Sequence, residues 1–426
     1  MINYLSNFFE HSGQITALAS IMAVWLGFTS IGAYIGGSNR FQEATPFLGW
    51  AFISFIFTIG GVFTSISFTT MTIPLALLAI IFGVLTYRRD GSILPPGFTR
   101  IVILTLPILI LVSAMVGSQW DEFTDWLLTP RQLLENDHFP NKTNKSLSGA
   151  LAAYPFNWHF VTFLASRFTG HLEESAGALF NILLLLSFGL YLARMIKDKI
   201  NFYDNITVSK PSWSLCALGA LLTTAFNPTF AQKVVLTSYA DVSVAVAVGF
   251  AVSIGWQILN AISENHKENA RILSFQLGLL FIVLINLKQV TFVLFILIVG
   301  ATVITTARDP KIKMRDLFSL LPIIIIPALV VYLTWRYHVA LQLEGKEFSI
   351  RPPAEWYIAE IPQILLRMLL VLTKKGLYLF IFICVVFFAI GSLFRLRTSF
   401  DRLALMVGIV MLGYNAFLLF SYVSAF

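Results

Sequence analysis

Long apolar runs separated by short polar connectors recur from one end of the chain to the other. Crossing a bilayer as a helix takes about 20 mostly apolar residues. About twelve runs approach that length: 14–36, 47–66, 71–87, 101–117, 175–195, 212–230, 237–262, 272–286, 289–306, 317–335, 376–394 and 403–423. Two more apolar segments, 154–169 and 356–372, are predicted to lie in the interface or re-enter the membrane. If either crossed, the alternation of the connectors would fail.

The expected fold is therefore all-α: a polytopic integral membrane protein with interfacial helices in its first large extracytoplasmic loop. Composition agrees. Of 426 residues, 57% are hydrophobic and 12% charged. Soluble domains carry about 25% charged residues. This balance excludes a soluble enzyme, a disordered chain and a nucleic-acid-binding domain, so no nucleic-acid partner is expected. A β-barrel is excluded because barrel strands alternate in short segments. Cys216 and Cys384 both fall in apolar runs and read as small buried hydrophobes. The first apolar run has no basic flank or clear cleavage site, and is read as a retained helix.

Charge sets the orientation. Arg88 and Arg89, then Arg194, Lys197 and Lys199, lie on connectors, as do Lys267 with Arg271, Arg308 with Lys311 and Lys313, and Arg395 with Arg397 and Arg402. With these connectors in the cytoplasm, 17 of the 29 Lys and Arg fall inside, against 9 of the 22 acids. That is the positive-inside pattern. Three regions follow: N-terminal helices in 1–100, a core in 101–335, and a loop, interfacial helix and last two spans in 336–426. The polar islands 118–150 and 336–358 lie outside.

Candidate chemistry gathers on that outer side. In Trp120-Asp121-Glu122-Phe123-Thr124-Asp125-Trp126, three carboxylates fall within five positions between two tryptophans. On a regular helix Asp121 and Asp125 share a face. Carboxylates beside an apolar surface can have one pKa raised, and such a group can take a proton from a hydroxyl. An aromatic belt with solvated acids is the plainer alternative. Tyr154-Pro155 and Trp158-His159 then turn the chain into the segment 154–169. Tyr239 and Asp241 begin the run 237–262, where an acid either caps the helix or faces a cavity. The outer cations Lys233, Lys288, Arg336, Arg351, Arg367, Lys374 and Lys375 either snorkel to headgroups or hold a phosphate.

Asp121-Glu122-Phe123 followed by Trp126, then Tyr154-Pro155, Tyr239-Ala240-Asp241 and Lys288-Gln289, stand in an order that resembles the GT-C superfamily of polytopic glycosyltransferases. The likeness is to bacterial members with a D-E-F-x-x-W motif, over about 118–290. Two features depart from better-known members. The acidic motif follows the fourth span rather than the first, and no extracytoplasmic C-terminal domain follows.

The resemblance implies inverting transfer of a sugar from a polyprenyl-phosphate donor to a glycan or lipid-linked acceptor. It would take place at the outer face of a bacterial inner membrane. Asp121 would be the general base, with Glu122 or Asp125 as helper. Lys288 and one or more of Arg336, Arg351, Arg367 and Lys375 would hold the phosphate, and Tyr154, His159, Tyr239 and Asp241 would line the substrate site. Some members use a divalent cation, Mg2+ or Mn2+, and others none; Asp121 with Asp241 would be the oxygen pair for one.

Three other readings compete. An O-antigen ligase or polymerase type enzyme relies on outer arginines and a long late loop, but 336–358 is short and the acidic loop would be unexplained. A transporter or flippase of lipid-linked sugars needs charges near the midplane, and here they sit at span ends. A structural membrane scaffold is the third.

Overall fold

The computed structural model describes residues 13–148, 152–204, 210–343 and 351–424. The end of the loop predicted over 118–150 and the middle of 336–358 lie outside the described residues. Among the described residues the fold is all-helical.

Among the described residues, ten helices are long and apolar enough to cross a membrane. They are α1 (Gln14–Gly36), α2 (Thr45–Phe63), α3 (Phe68–Asp90), α7 (Ala176–Asp204), α10 (Asp241–Ser263), α11 (Lys267–Ile285), α12 (Thr291–Arg308), α13 (Met314–Gln342), α15 (Gly376–Phe394) and α16 (Ser399–Ser424). The chain is an integral membrane protein. Shorter helices complete it: α4 (Phe98–Ser113), α5 (Leu128–Asn136), α6 (His159–Thr169), α8 (Trp213–Thr223), α9 (Gln232–Val235) and α14 (Ile361–Thr373).

The sequence predicts twelve spans, and α4 and α8 account for the difference. At 1.5 Å per residue, α8 is roughly 16 Å long, against a hydrocarbon core of about 30 Å. It stops because Asn227-Pro228 turns the chain; Asn227 Oδ1 accepts from the Thr229 N–H at 3.0 Å and its hydroxyl at 2.7 Å. A residue before proline is driven out of the helical region. α4 stops at Ser113 although the run continues to Gly117. The N–H groups of Gly117, Ser118 and Gln119 bond carboxylates rather than helix carbonyls.

Contacts sort the loops into two ends. At one end lie the basic connectors, tied by buried ion pairs. Arg40 pairs with Asp90, Arg194 with Glu43 at 2.9 Å, and Arg402 with Asp309 at 2.5 Å. Phe41 N–H reaches Gln276 Oε1 there at 2.8 Å, and Arg402 also bonds Asn260 at 2.8 Å. At the other end lie residues 114–148, 152–175, 224–240, 286–290 and 351–375. The start of α1 joins this second end, because Gln14 Nε2 donates to the Ile110 carbonyl at 3.1 Å.

The segment 154–169 does not lie on the outside of the bundle. His159, Phe160, Val161, Thr162 and Phe163 are buried, and Phe160 stacks edge-on against Phe57 at 4.9 Å. Aromatic rings from α2, α3 and the loop draw it inward. The predicted amphipathic segment 356–372 behaves as expected of a surface element: its helix α14 has no buried residue.

Three helix pairs touch backbone to backbone, α11 with α13 at Gly278 among them. A Cβ on Gly49 of α2 would collide with the Phe28 carbonyl of α1, and one on Gly219 of α8 with the Gly189 carbonyl of α7. Small residues allow such approach where lipid offers no hydrophobic drive for helix association. Gly49→Val is expected to lower Tm by several degrees or abolish folded yield, since overpacking costs about 1–3 kcal/mol. Gly300→Val in α12, where a Cβ meets nothing within 4 Å, should leave Tm near that of wild type. Thermal unfolding of both variants in detergent checks the contrast.

Candidate functional site

Four loops meet at the end opposite the basic connectors, and Glu122 ties two of them. Its side chain is buried. Oε2 accepts from the N–H groups of Ser118 at 2.9 Å and Gln119 at 3.0 Å. Oε1 accepts from the Ser238 N–H at 2.7 Å. Glu174 adds a second tie: Oε2 accepts from Gly117 N–H at 2.9 Å, and its carbonyl from Ser238 Oγ at 3.1 Å. These bonds pin the first loop to the entry of α10.

Indole N–H groups fix the remaining backbone. Trp158 donates to the Ser238 carbonyl at 2.7 Å, Trp335 to Ala153 at 3.1 Å and Trp50 to Asn157 at 3.3 Å. A buried indole needs such a partner.

Residues 122–126 form one turn of π-helix, closed by Leu127 N–H to the Glu122 carbonyl at 2.8 Å. The wider turn parts the two acids that a regular helix would place on one face. Asp121 is exposed, while Asp125 is 1% exposed. Trp120 and Phe123 face outward, and Trp126 turns in.

Trp126 is the platform of the site. His159 stacks on it at 5.5 Å, and Tyr154 and Tyr239 flank it at 6.4 Å each. Lys288 Nζ lies 5.1 Å from its ring centroid and 2.8 Å from Asp241 Oδ2. The Tyr239 hydroxyl lies beside the Asp121 backbone. Both tyrosines feel the charges of Asp121 and Asp241, so one site holds Asp121, Asp125, Tyr154, Tyr239, Asp241 and Lys288.

Burial sets the protonation of the enclosed groups. Desolvation pushes Asp125 up to about 6, against the opposing pull of hydrogen bonds from Ser148 and Thr129 and the charge of Lys288. Its Oδ1 accepts from both hydroxyls, while Oδ2 has no hydrogen-bond partner among the described residues. Desolvation pushes His159 down to about 3, so it stays neutral and is poorly suited to acid–base work near pH 7. Burial also raises the Tyr154 and Tyr239 hydroxyls, and the neighbouring acids add to it.

The cations divide. Arg336 lines a cavity of about 350 Å³ together with Ala153, Pro155, Gln289, Trp335 and Phe420. Tyr154 and Lys288 are chain neighbours of that lining, so the cavity adjoins the cluster. Arg351 is elsewhere: it bonds the Tyr357 hydroxyl at 2.6 Å, and its N–H reaches the Ser424 carbonyl at 2.9 Å. Arg367 and Lys375 line a different cavity, and Lys233 is exposed on α9.

Among the described residues, no three His, Cys, Asp or Glu side chains gather in a group able to hold a metal ion. Mg2+ asks for near-octahedral oxygen coordination. In this arrangement Asp241 Oδ2 is engaged by the Lys288 ammonium at 2.8 Å.

Trp126 as platform, Glu174 as tie and Ser148 as partner of Asp125 escape a reading of the sequence. Only the Glu173-Glu174 pair before an apolar run gave a signal. Compared with known proteins, the chain matches no family model, no curated protein and no solved structure.

Two outcomes follow for the carboxylates. Glu122→Gln turns one acceptor into a donor facing backbone N–H groups. It is expected to cost about 2–3 kcal/mol, read as a lower Tm, whereas a near-neutral result would remove the clamp. For Asp125 the folded pKa lies above the ordinary 3.8. Its contribution to stability is therefore full below about pH 4 and is lost as pH rises through about 6, on the order of 3 kcal/mol in all. Tm measured from pH 4 to 7 should carry this slope in wild type, and Asp125→Asn should lack it.

Proposed function

We propose that the protein is a membrane glycosyltransferase of GT-C type, moving a sugar from a polyprenyl-phosphate donor to an acceptor hydroxyl. The carrying observation is one cluster that joins the exposed Asp121 to the Asp241–Lys288 pair, beside a cavity lined by Arg336. A base, a phosphate-binding cation and an enclosed space are what such a transfer requires.

The chemistry follows from the residues. Asp121 accepts the proton of the acceptor hydroxyl. The hydroxyl oxygen attacks the anomeric carbon from the face opposite the leaving group, and the bond from that carbon to the phosphate oxygen breaks. The lipid phosphate leaves with the electron pair, and the anomeric centre inverts. Lys288 has three N–H donors; one is used by Asp241, and two remain for the phosphate. Arg336 supplies a planar fork for the same group.

Asp241 holds the ammonium in place over Trp126, and Glu122 fixes the turn that carries Asp121. Asp125 lies buried behind the turn, where its charge acts on the base rather than on substrate. The donor side is taken as the extracytoplasmic face of a bacterial inner membrane, since the basic connectors gather at the other end.

With purified protein and a panel of polyprenyl-phosphate sugars, wild type should release free lipid phosphate. Asp121→Asn should lower the rate by about 10²–10⁴-fold, the usual worth of a general base. Lys288→Met should lower it by roughly 10²-fold through the leaving group. Wild type that flips the same lipids in liposomes without releasing phosphate would sink the transferase reading in favour of a flippase.

A further inference from the structure

We propose that the groove between α14 and α16 is a binding site for a lipid with a phosphate headgroup, separate from the cluster around Asp121. The groove encloses about 560 Å³, within the usual range for small-molecule sites. Its walls are apolar: Ile364, Met368, Val371 and Leu372 from α14, and Leu418 from α16. Arg367 and Lys375 stand on its lining with the Tyr378 side chain, and no acidic residue lines it.

Two cations over an apolar floor, with no carboxylate to neutralise them, complement an anionic head joined to a hydrocarbon tail. Neither cation has an ion pair among the described residues. A free phosphate would leave the apolar floor uncovered, and a neutral lipid would leave both cations unmatched.

The helix itself fits this occupant. Ile361, Ile364, Met368 and Leu372 face inward at helical spacing, while Leu365, Leu366, Leu369 and Leu370 are exposed on the other side. A helix apolar on both sides, at the end of a membrane bundle, is placed among acyl chains. Its cations then sit at headgroup depth.

The groove is also distinct from the cavity beside Lys288. Phe417, Phe420 and Ser421 of α16 line that cavity, while Asn415, Leu418 and Tyr422 line this one. The last helix separates them, with different faces turned to each. The proposal does not rest on sugar transfer, and an inert Asp121 would leave it standing.

The test uses full-length protein in phosphatidylcholine vesicles doped with a phosphatidic acid probe carrying a diazirine in one acyl chain. A diacylglycerol probe with the same chain is the headless control. Peptides covering 361–378 or 415–422 are expected to take the phosphate probe roughly tenfold more than the control, given two surface cations. The double variant Arg367→Gln, Lys375→Gln should fall to the control level at unchanged Tm, both side chains being exposed. Arg367→Lys with Lys375→Arg should restore labelling, and Arg336→Gln and Asp121→Asn should keep it. Equal labelling by both probes, or labelling that survives loss of both charges, would overturn the proposal. Displacement of the probe by millimolar inorganic phosphate would also overturn it, assigning the groove to the free anion.

Discussion

The candidate site depends on one buried carboxylate. Past the end of α4 at Ser113, the N–H groups of Gly117, Ser118 and Gln119 have no helical partners. Buried backbone donors must be paired, because each orphan costs about 1–3 kcal/mol. Glu122 takes two of them, Glu174 the third, and Glu122 uses its remaining oxygen on Ser238. One side chain therefore shapes a loop and locks it to the entry of another helix more than a hundred positions later. Asp121 and Trp126 hang from the same turn, so their positions follow from it.

Trp126 converts this anchorage into a site. Its ring is nearly enclosed, and it faces a histidine, two tyrosines and the Lys288 ammonium. The Asp241–Lys288 pair is half open on the acid side, so it adds little to stability. Its consequence is positional. A lysine with four rotatable bonds is held over one ring face by an acid and a quadrupole together. The pairs at the other end of the molecule differ in kind. Arg402 with Asp309 and Arg40 with Asp90 are largely buried. Removing one partner there would strand a charge, so that end is the rigid one.

Hydropathy makes the spans legible because the bilayer imposes one length and one polarity on every crossing. It misjudges α4 and α8, since apolar composition continues past points where backbone donors are diverted or Asn227-Pro228 breaks the helix. For 154–169 it leaves two alternatives open, an interfacial or a re-entrant segment. Aromatic content alone cannot tell a belt facing lipid from rings packed on Phe57 and Phe68. The grouping of Asp121, Tyr154, Tyr239, Asp241 and Lys288 is legible from their common side of the membrane. The split between Asp121 and Asp125 is not, because a π-turn looks like any helical turn in sequence. Arg351, Arg367 and Lys375 share that side too, yet charge and sidedness say nothing of which cavity a cation reaches.

The last helix resolves that question. α16 packs against α12 and α15, and carries cavity-lining residues on two of its faces. One face looks toward Gln289 and Arg336, the other toward Arg367 and Lys375. Both spaces sit at the same end of the bundle, and both combine apolar walls with cations. Two anionic headgroups could not share one of them without strong repulsion at low dielectric, whereas a helix between them keeps each with its own counter-charges. Gln289, at the tight turn between α11 and α12, lines the first space only.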